Sequence, residues 1–149
     1  MNAEQIGIVR DTFALVAPRA DEAAKLFYKR LFELDPSLRP MFRGNMDEQA
    51  KKLMQMLGAA VRLLDRPDAL VPVLEDLGRR HVGYAVLDDH YKPVGAALLS
   101  MLEEMLGPSF TPAARDAWTT LYGFVAETMK RAAKEGPSAS NQGPAPVHS

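Results

Sequence analysis

Apolar residues recur every three to four positions through most of the chain, the spacing of amphipathic helices. Ile6, Val9, Phe13 and Val16 form the first such stripe. Asn2 stands ahead of it as a cap, with Gln5 three residues on as the reciprocal partner. Pro18 ends it, because the residue before a proline avoids the helical region. Ala24, Phe27, Tyr28 and Leu31 mark a second helix from about Asp21 to Leu34. Asp35-Pro36 reads as a cap with proline at the first helical position, opening a short turn from Ser37 to Met41. Gly44-Asn45 breaks the chain, and a third helix spans about Asp47 to Leu64 with Gln49, Leu53, Leu57, Ala60 and Leu64 on one face.

After Arg66-Pro67, the residues Leu70, Val73, Leu74 and Leu77 define a fourth helix, with Pro72 near its start as a point of division or kinking. His81 falls four residues after Leu77. Side chains four apart share a helix face, so an imidazole is expected where the leucines point. The stretch from Gly83 to Asp88 is the exit; Asp88 or Asp89 caps the next helix, with Pro93 near its start and Val94, Leu98, Met101, Leu102 and Met105 inward. Gly107-Pro108 stops it. Thr111-Pro112 opens the last helix, which runs to about Lys134 with Trp118, Leu121, Tyr122, Val125 and Met129 as its inner stripe. No segment alternates with period two, so the expected class is all-α. Residues 1–135 read as one domain. Residues 136–149, rich in Gly, Pro and Ser, cannot build a core and read as a disordered tail.

A chain of 149 residues buries about 70% of its unfolded surface, enough for a core and a cofactor pocket. Net charge is -1, from 18 basic and 19 acidic residues, which gives no electrostatic reason to expect nucleic acid or an anionic membrane as partner. The absence of cysteine excludes disulfides, thiol catalysis, iron–sulfur clusters and zinc–thiolate sites. The N-terminus shows no basic segment followed by an apolar run, so no signal peptide is expected. No apolar run is long enough for a bilayer span, and a cytoplasmic location is the expectation.

Candidate chemistry comes from polar residues on apolar faces. Tyr28, Gln49 and His81 occupy three different helices. A buried polar group without a partner costs roughly 1–3 kcal/mol. A single such residue is usually a hydrogen-bonded core residue, and Tyr28 bonded only to Gln49 as a core pair is one reading. Three on three helices fit an apolar cavity with convergent polar groups, the usual form of a ligand site. Met54, Met56, Met101 and Met105 read as core filler rather than metal ligands. Arg79, Arg80 and Lys52 read as solvated charges, and His90 as a surface or loop residue.

The order of the motifs carries a resemblance. Leu-Phe-Tyr-Lys-Arg-Leu-Phe (26–32) is followed by Asp-Pro-Ser-Leu-Arg-Pro-Met-Phe (35–42), then by Gln49 ahead of Lys-Leu-Met. Next come Leu-Gly-Arg-Arg-His (77–81), His-Tyr-Lys-Pro-Val-Gly (90–95) and Ala-Trp-Thr-Thr-Leu-Tyr-Gly (117–123). Over about Gln5 to Met129 the chain resembles bacterial haemoglobins, both the globin domain of flavohaemoglobins and the single-domain Vitreoscilla-type haemoglobins. The resemblance implies a globin fold of about seven helices around haem b. It places the proximal iron ligand at His81, the haem-packing phenylalanine at Phe42 and the distal tyrosine and glutamine at Tyr28 and Gln49. Leu53 matches the apolar residue that shapes the distal pocket, Leu57 and Leu77 fall beside the cofactor, and Tyr91 and Tyr122 match tyrosines on the proximal side and in the final helix.

Two departures from that pattern matter. The flavin and nicotinamide domains of flavohaemoglobins do not follow, and counting on from Tyr122 puts the family's proximal glutamate at Ala133. The function implied is reversible, high-affinity oxygen binding, for transport or scavenging. The alternatives are nitric oxide dioxygenase activity with a reductase in trans, or a gas-sensing globin that takes oxygen, nitric oxide or carbon monoxide.

Overall fold

The computed structural model describes residues 1–41, 45–83 and 88–135. Among these are six α-helices and no strand: α1 (Ala3–Val16), α2 (Ala20–Leu34), α3 (Met46–Arg62), α4 (Pro67–Gly83), α5 (Tyr91–Leu106) and α6 (Pro112–Glu135). Four 3-10 helices accompany them among the described residues, and the one at Pro36–Met41 is the short turn expected after Asp35. Phe42 and the tail at 136–149 lie outside the described residues.

Local chemistry sets several of the helix ends. At α1 the Asn2 side chain accepts from the Gln5 N–H at 2.8 Å, and the Gln5 side chain accepts from the Asn2 N–H at 3.2 Å, so two orphan donors are satisfied reciprocally. Asn45, read from sequence as part of a break, is instead the cap of α3: its side chain accepts from the Asp47 N–H at 2.8 Å. The Thr111 hydroxyl accepts from the Ala114 N–H at 3.1 Å and caps α6. Gly107, at φ +54, closes α5, a backbone conformation that glycine adopts without steric cost.

Three sequence expectations need correction. Helix α4 continues unbroken through Pro72. Val73 is 42% exposed and does not belong to the inner stripe, which runs through Leu70, Leu74 and Leu77. The capping position of helix α5 is His90 rather than an aspartate, and the helix grows out of a 3-10 turn, Asp88–His90.

Helix α2 packs on α5 and α3, α1 on α6 and α3, and α4 on α6. The seam between α1 and α6 is fixed by a polar contact inside the core. Trp118 is fully buried, and its indole N–H donates to the Thr12 hydroxyl at 2.8 Å. That hydroxyl in turn donates to the Ile8 carbonyl at 2.7 Å, so the buried pair is satisfied. Thr12→Val keeps the shape and removes the acceptor, stranding the indole donor. The expected loss is about 1–3 kcal/mol of stability, read as a lower denaturation midpoint at unchanged m-value.

The seam between α4 and α6 is closer. A Cβ on Gly78 would lie 2.3 Å from the Met129 carbonyl oxygen and 2.8 Å from its Cα. The two backbones meet there, and a side-chain-free residue is what permits it. A similar approach occurs between α5 and α6, where a Cβ on Gly95 would sit 2.6 Å from the Tyr122 ring.

Candidate functional site

The i, i+3, i+4 register of α2 places Phe27, Tyr28 and Leu31 in the core. Tyr28 is 8% exposed, with its ring edge-on to Phe27 at 5.0 Å and stacked on Phe32 at 6.1 Å. Its hydroxyl donates to the Gln49 backbone carbonyl at 3.4 Å, a long hydrogen bond. Burial pushes the phenol up to about 12, so it keeps its proton and remains a donor at physiological pH. The structure therefore brings Tyr28 and the first turn of α3 together, but through the main chain of Gln49 rather than through its amide. The Gln49 side chain is half-buried. The expected pairing of Tyr28 with Gln49 is thus present, in a main-chain form.

Leu53 and Leu57 continue the inner face of α3, and Leu77 lies on the inner face of α4. All three pack against the core yet stay only half-buried, whereas Leu31 and Leu74 are 0% and 1% exposed. Helices α3 and α4 are consecutive and joined by residues 63–66. Helices so joined ordinarily pack against each other. Here, among the described residues, their principal packing is elsewhere: α3 against α2 and α1, α4 against α6. A flat apolar group between these faces would complete the burial that the leucines lack. The residues present thus fit a haem, with a buried phenol donor at the α2 side of α3.

The backbone of His81 belongs to the last turn of α4, at the register of Leu70, Leu74 and Leu77. Its side chain lies outside the described set. Tyr91, the first residue of α5, is half-buried against the core, and its carbonyl accepts from the Tyr122 hydroxyl at 2.5 Å. Burial raises the Tyr122 phenol as well, so that hydroxyl stays a donor. The Lys130 ammonium stands over the Tyr91 ring at 5.6 Å, a cation–π distance, while Ala133 is half-buried one turn further along α6.

Other sequence assignments fall into place around this site. Arg80 pairs with Asp76 at 2.6 Å, and Arg79 and Lys52 are exposed. Met101 is fully buried, and Met54 and Met105 pack against the core. His90 is half-buried. Sequence reasoning missed Phe32 as the neighbour of Tyr28, and Lys130 as the neighbour of Tyr91. Phe32 stands four residues after Tyr28 and was detectable by the same spacing; the Lys130 contact crosses between helices and leaves no local signal.

The globin family model matches residues 25–129. Neuroglobin of Danio rerio is 33% identical over 91% of this chain and 94% of its own length. A flavohemoprotein of Xylella fastidiosa is 30% identical over 84% of this chain, and the match spans 32% of that protein, so the chain covers about a third of such relatives. Among solved structures, a bacterial globin from Campylobacter jejuni superposes with a TM-score of 0.78 at 28% identity, covering 90% of this chain and 97% of that one. A hexacoordinated heme protein from an anhydrobiotic tardigrade shares the fold, with a TM-score of 0.83 at 16% identity over 91% of this chain and 96% of its own. With its family motifs set on matching helices and two relatives spanning nearly its whole described length, this chain belongs to the globin family.

Proposed function

We propose that the chain binds haem b through His81 and holds oxygen reversibly, with high affinity, at the Tyr28 and Gln49 side of the cofactor. Haem-based gas binding comes with the family. When bound, haem supplies an iron with one position open to a diatomic gas. The neutral His81 imidazole would hold the iron, and its second nitrogen would donate to a carbonyl or carboxylate, for which the Leu77 carbonyl one turn back is the candidate. Phe42, Leu53, Leu57, Leu77 and Tyr91 would furnish the apolar and aromatic contacts that hold the cofactor. The domain on this reading is residues 1–135, with 136–149 as an appended tail, and its place is the cytoplasm.

The observation that carries the reading is the buried, protonated Tyr28 hydroxyl beside the start of α3. A ligand that gains negative charge on binding becomes a hydrogen-bond acceptor. Tyr28 and the Gln49 amide are the donors suited to it. A hydrogen bond to a charged group is worth about 1.5–3 kcal/mol, or roughly ten- to a hundredfold in dissociation. Tyr28→Phe is therefore expected to speed oxygen release by roughly that factor in stopped-flow measurements. An unchanged rate would mean that Tyr28 plays no part in retention.

Nitric oxide dioxygenase activity is the second reading, favoured by the flavohemoprotein relatives. It needs a reductase to restore the ferrous state. The proximal side argues for binding over turnover. A carboxylate behind the proximal network would make the imidazole more basic and favour oxygen activation, but counting on from Tyr122 puts Ala133 at the glutamate's place, and α6 sets a cation, Lys130, over Tyr91. Reductase-coupled nitric oxide consumption separates the two: turnover many-fold above the reductase-free rate would reverse the ranking.

A further inference from the structure

A cleft of about 510 Å³ opens between α2 and the start of α3, and its walls include Lys25, Lys29 and Arg39. Its floor includes two buried residues, Tyr28 and Ala50. Two carboxylates also line it. Glu33 is engaged by Arg30 at 3.1 Å, and Asp47 lies beside the α3 cap. No ion pair is found for Lys25, Lys29 or Arg39 among the described residues. Three cations thus face one carboxylate not held by an arginine, on a chain whose net charge is -1. A concave, low-dielectric wall concentrates such a local surplus.

The aromatic stack gives the cleft a direction. The Arg39 guanidinium stands 5.2 Å over the Phe32 ring, and Phe32 is stacked on Tyr28. A ligand entering past the ammonium groups and the guanidinium reaches Tyr28, which lines the cleft. Each polar group on that path, apart from the carboxylates on the wall, favours negative charge. The carboxylates disfavour a large polyanion, and a floor that ends on Tyr28 and Ala50 suits a small one.

We propose that this cleft is an entry and holding site for small inorganic monoanions, which it delivers to the Tyr28 side of the ligand site. The inference rests on the reading that Tyr28 faces the bound gas, and it adds a route by which an anion reaches that side.

The test compares two probes on the haem-loaded protein: azide, a small monoanion, on the ferric form, and carbon monoxide, a neutral ligand, on the ferrous form. In Lys25→Gln/Lys29→Gln/Arg39→Gln the azide association rate at low salt is expected to fall about tenfold, the low end of electrostatic steering. Carbon monoxide association is expected to stay unchanged. The wild-type azide rate should fall as salt is raised, and the variant's should be nearly flat. An unchanged azide rate, or an equal loss for both probes, overturns the proposal. A haem-independent measurement keeps the cleft apart from the functional reading. Nitrate titration followed by the Arg39 side-chain NMR signal should give a saturable shift that weakens in Lys25→Gln/Lys29→Gln. No saturable shift overturns the anion site, whereas a saturable shift in a protein that retains no haem supports it while the functional reading fails.

Discussion

Gly78→Ala is expected to destabilise the protein by about 3 kcal/mol, the upper end for overpacking a close-packed interior, and to lower the melting temperature by roughly 10 °C for a chain of this size. The added methyl would stand 2.3 Å from the Met129 carbonyl oxygen. That atom belongs to the backbone of α6 and cannot rotate aside, so relief comes only from parting α4 and α6. Gly123, also in α6, is the matched control: a Cβ there meets nothing within 4 Å. Gly123→Ala should be neutral or stabilising by up to about 1 kcal/mol, since alanine loses less entropy in a helix. Thermal melts of both variants give the comparison. Equal melting temperatures would show that α4 shifts freely over α6 and that the close approach is not a constraint.

His81→Ala is expected to abolish stable haem retention while most of the helical circular dichroism survives. The argument is positional. Leu70 and Leu74 fix the inner face of α4 at 2% and 1% exposure, and position 81 continues that register four residues past Leu77. On the proposed assignment, losing the imidazole removes the metal ligand and leaves the cofactor to apolar contacts alone. The helix itself gains, because alanine is the better helix former by a few tenths of a kcal/mol. Added imidazole should restore a haem spectrum to His81→Gly, which a purely structural histidine would not allow. Full haem content with an unchanged ferrous spectrum in His81→Ala would remove His81 from the role.

The helices were readable because their signals are local. The Asn2–Gln5 capping box and the Thr111-Pro112 start are written within four residues, and both recur in the structure. The burial of Phe27, Tyr28 and Leu31 followed from spacing alone. The failures are equally physical. Val73 is apolar but stands at the edge of the stripe, and α4 is covered chiefly on the side that meets α6. Pro72 did not divide α4, since tertiary packing of Leu70 and Leu74 holds the helix across the missing donor. At the candidate site the sequence placed Tyr28 near Gln49 but not the main-chain acceptor. Which atom of a residue meets a neighbour depends on helix crossing geometry, which periodicity does not encode. The stack of Arg39, Phe32 and Tyr28 joins α2 to the 3-10 helix after it and was equally invisible to a stripe-by-stripe reading.

The glycine seam also sets an order in time. Helix α4 takes its principal support from α6, and Met129, its contact at Gly78, lies 51 positions later in the chain (129 − 78). At synthesis speeds of about 5–20 residues per second, the segment bearing His81 leaves the ribosome seconds before the surface it needs. During that interval α1, α2, α3 and α5 can already assemble, because each has a packing partner among the others. The helix that bears the expected iron ligand would then be the last to be fixed in place.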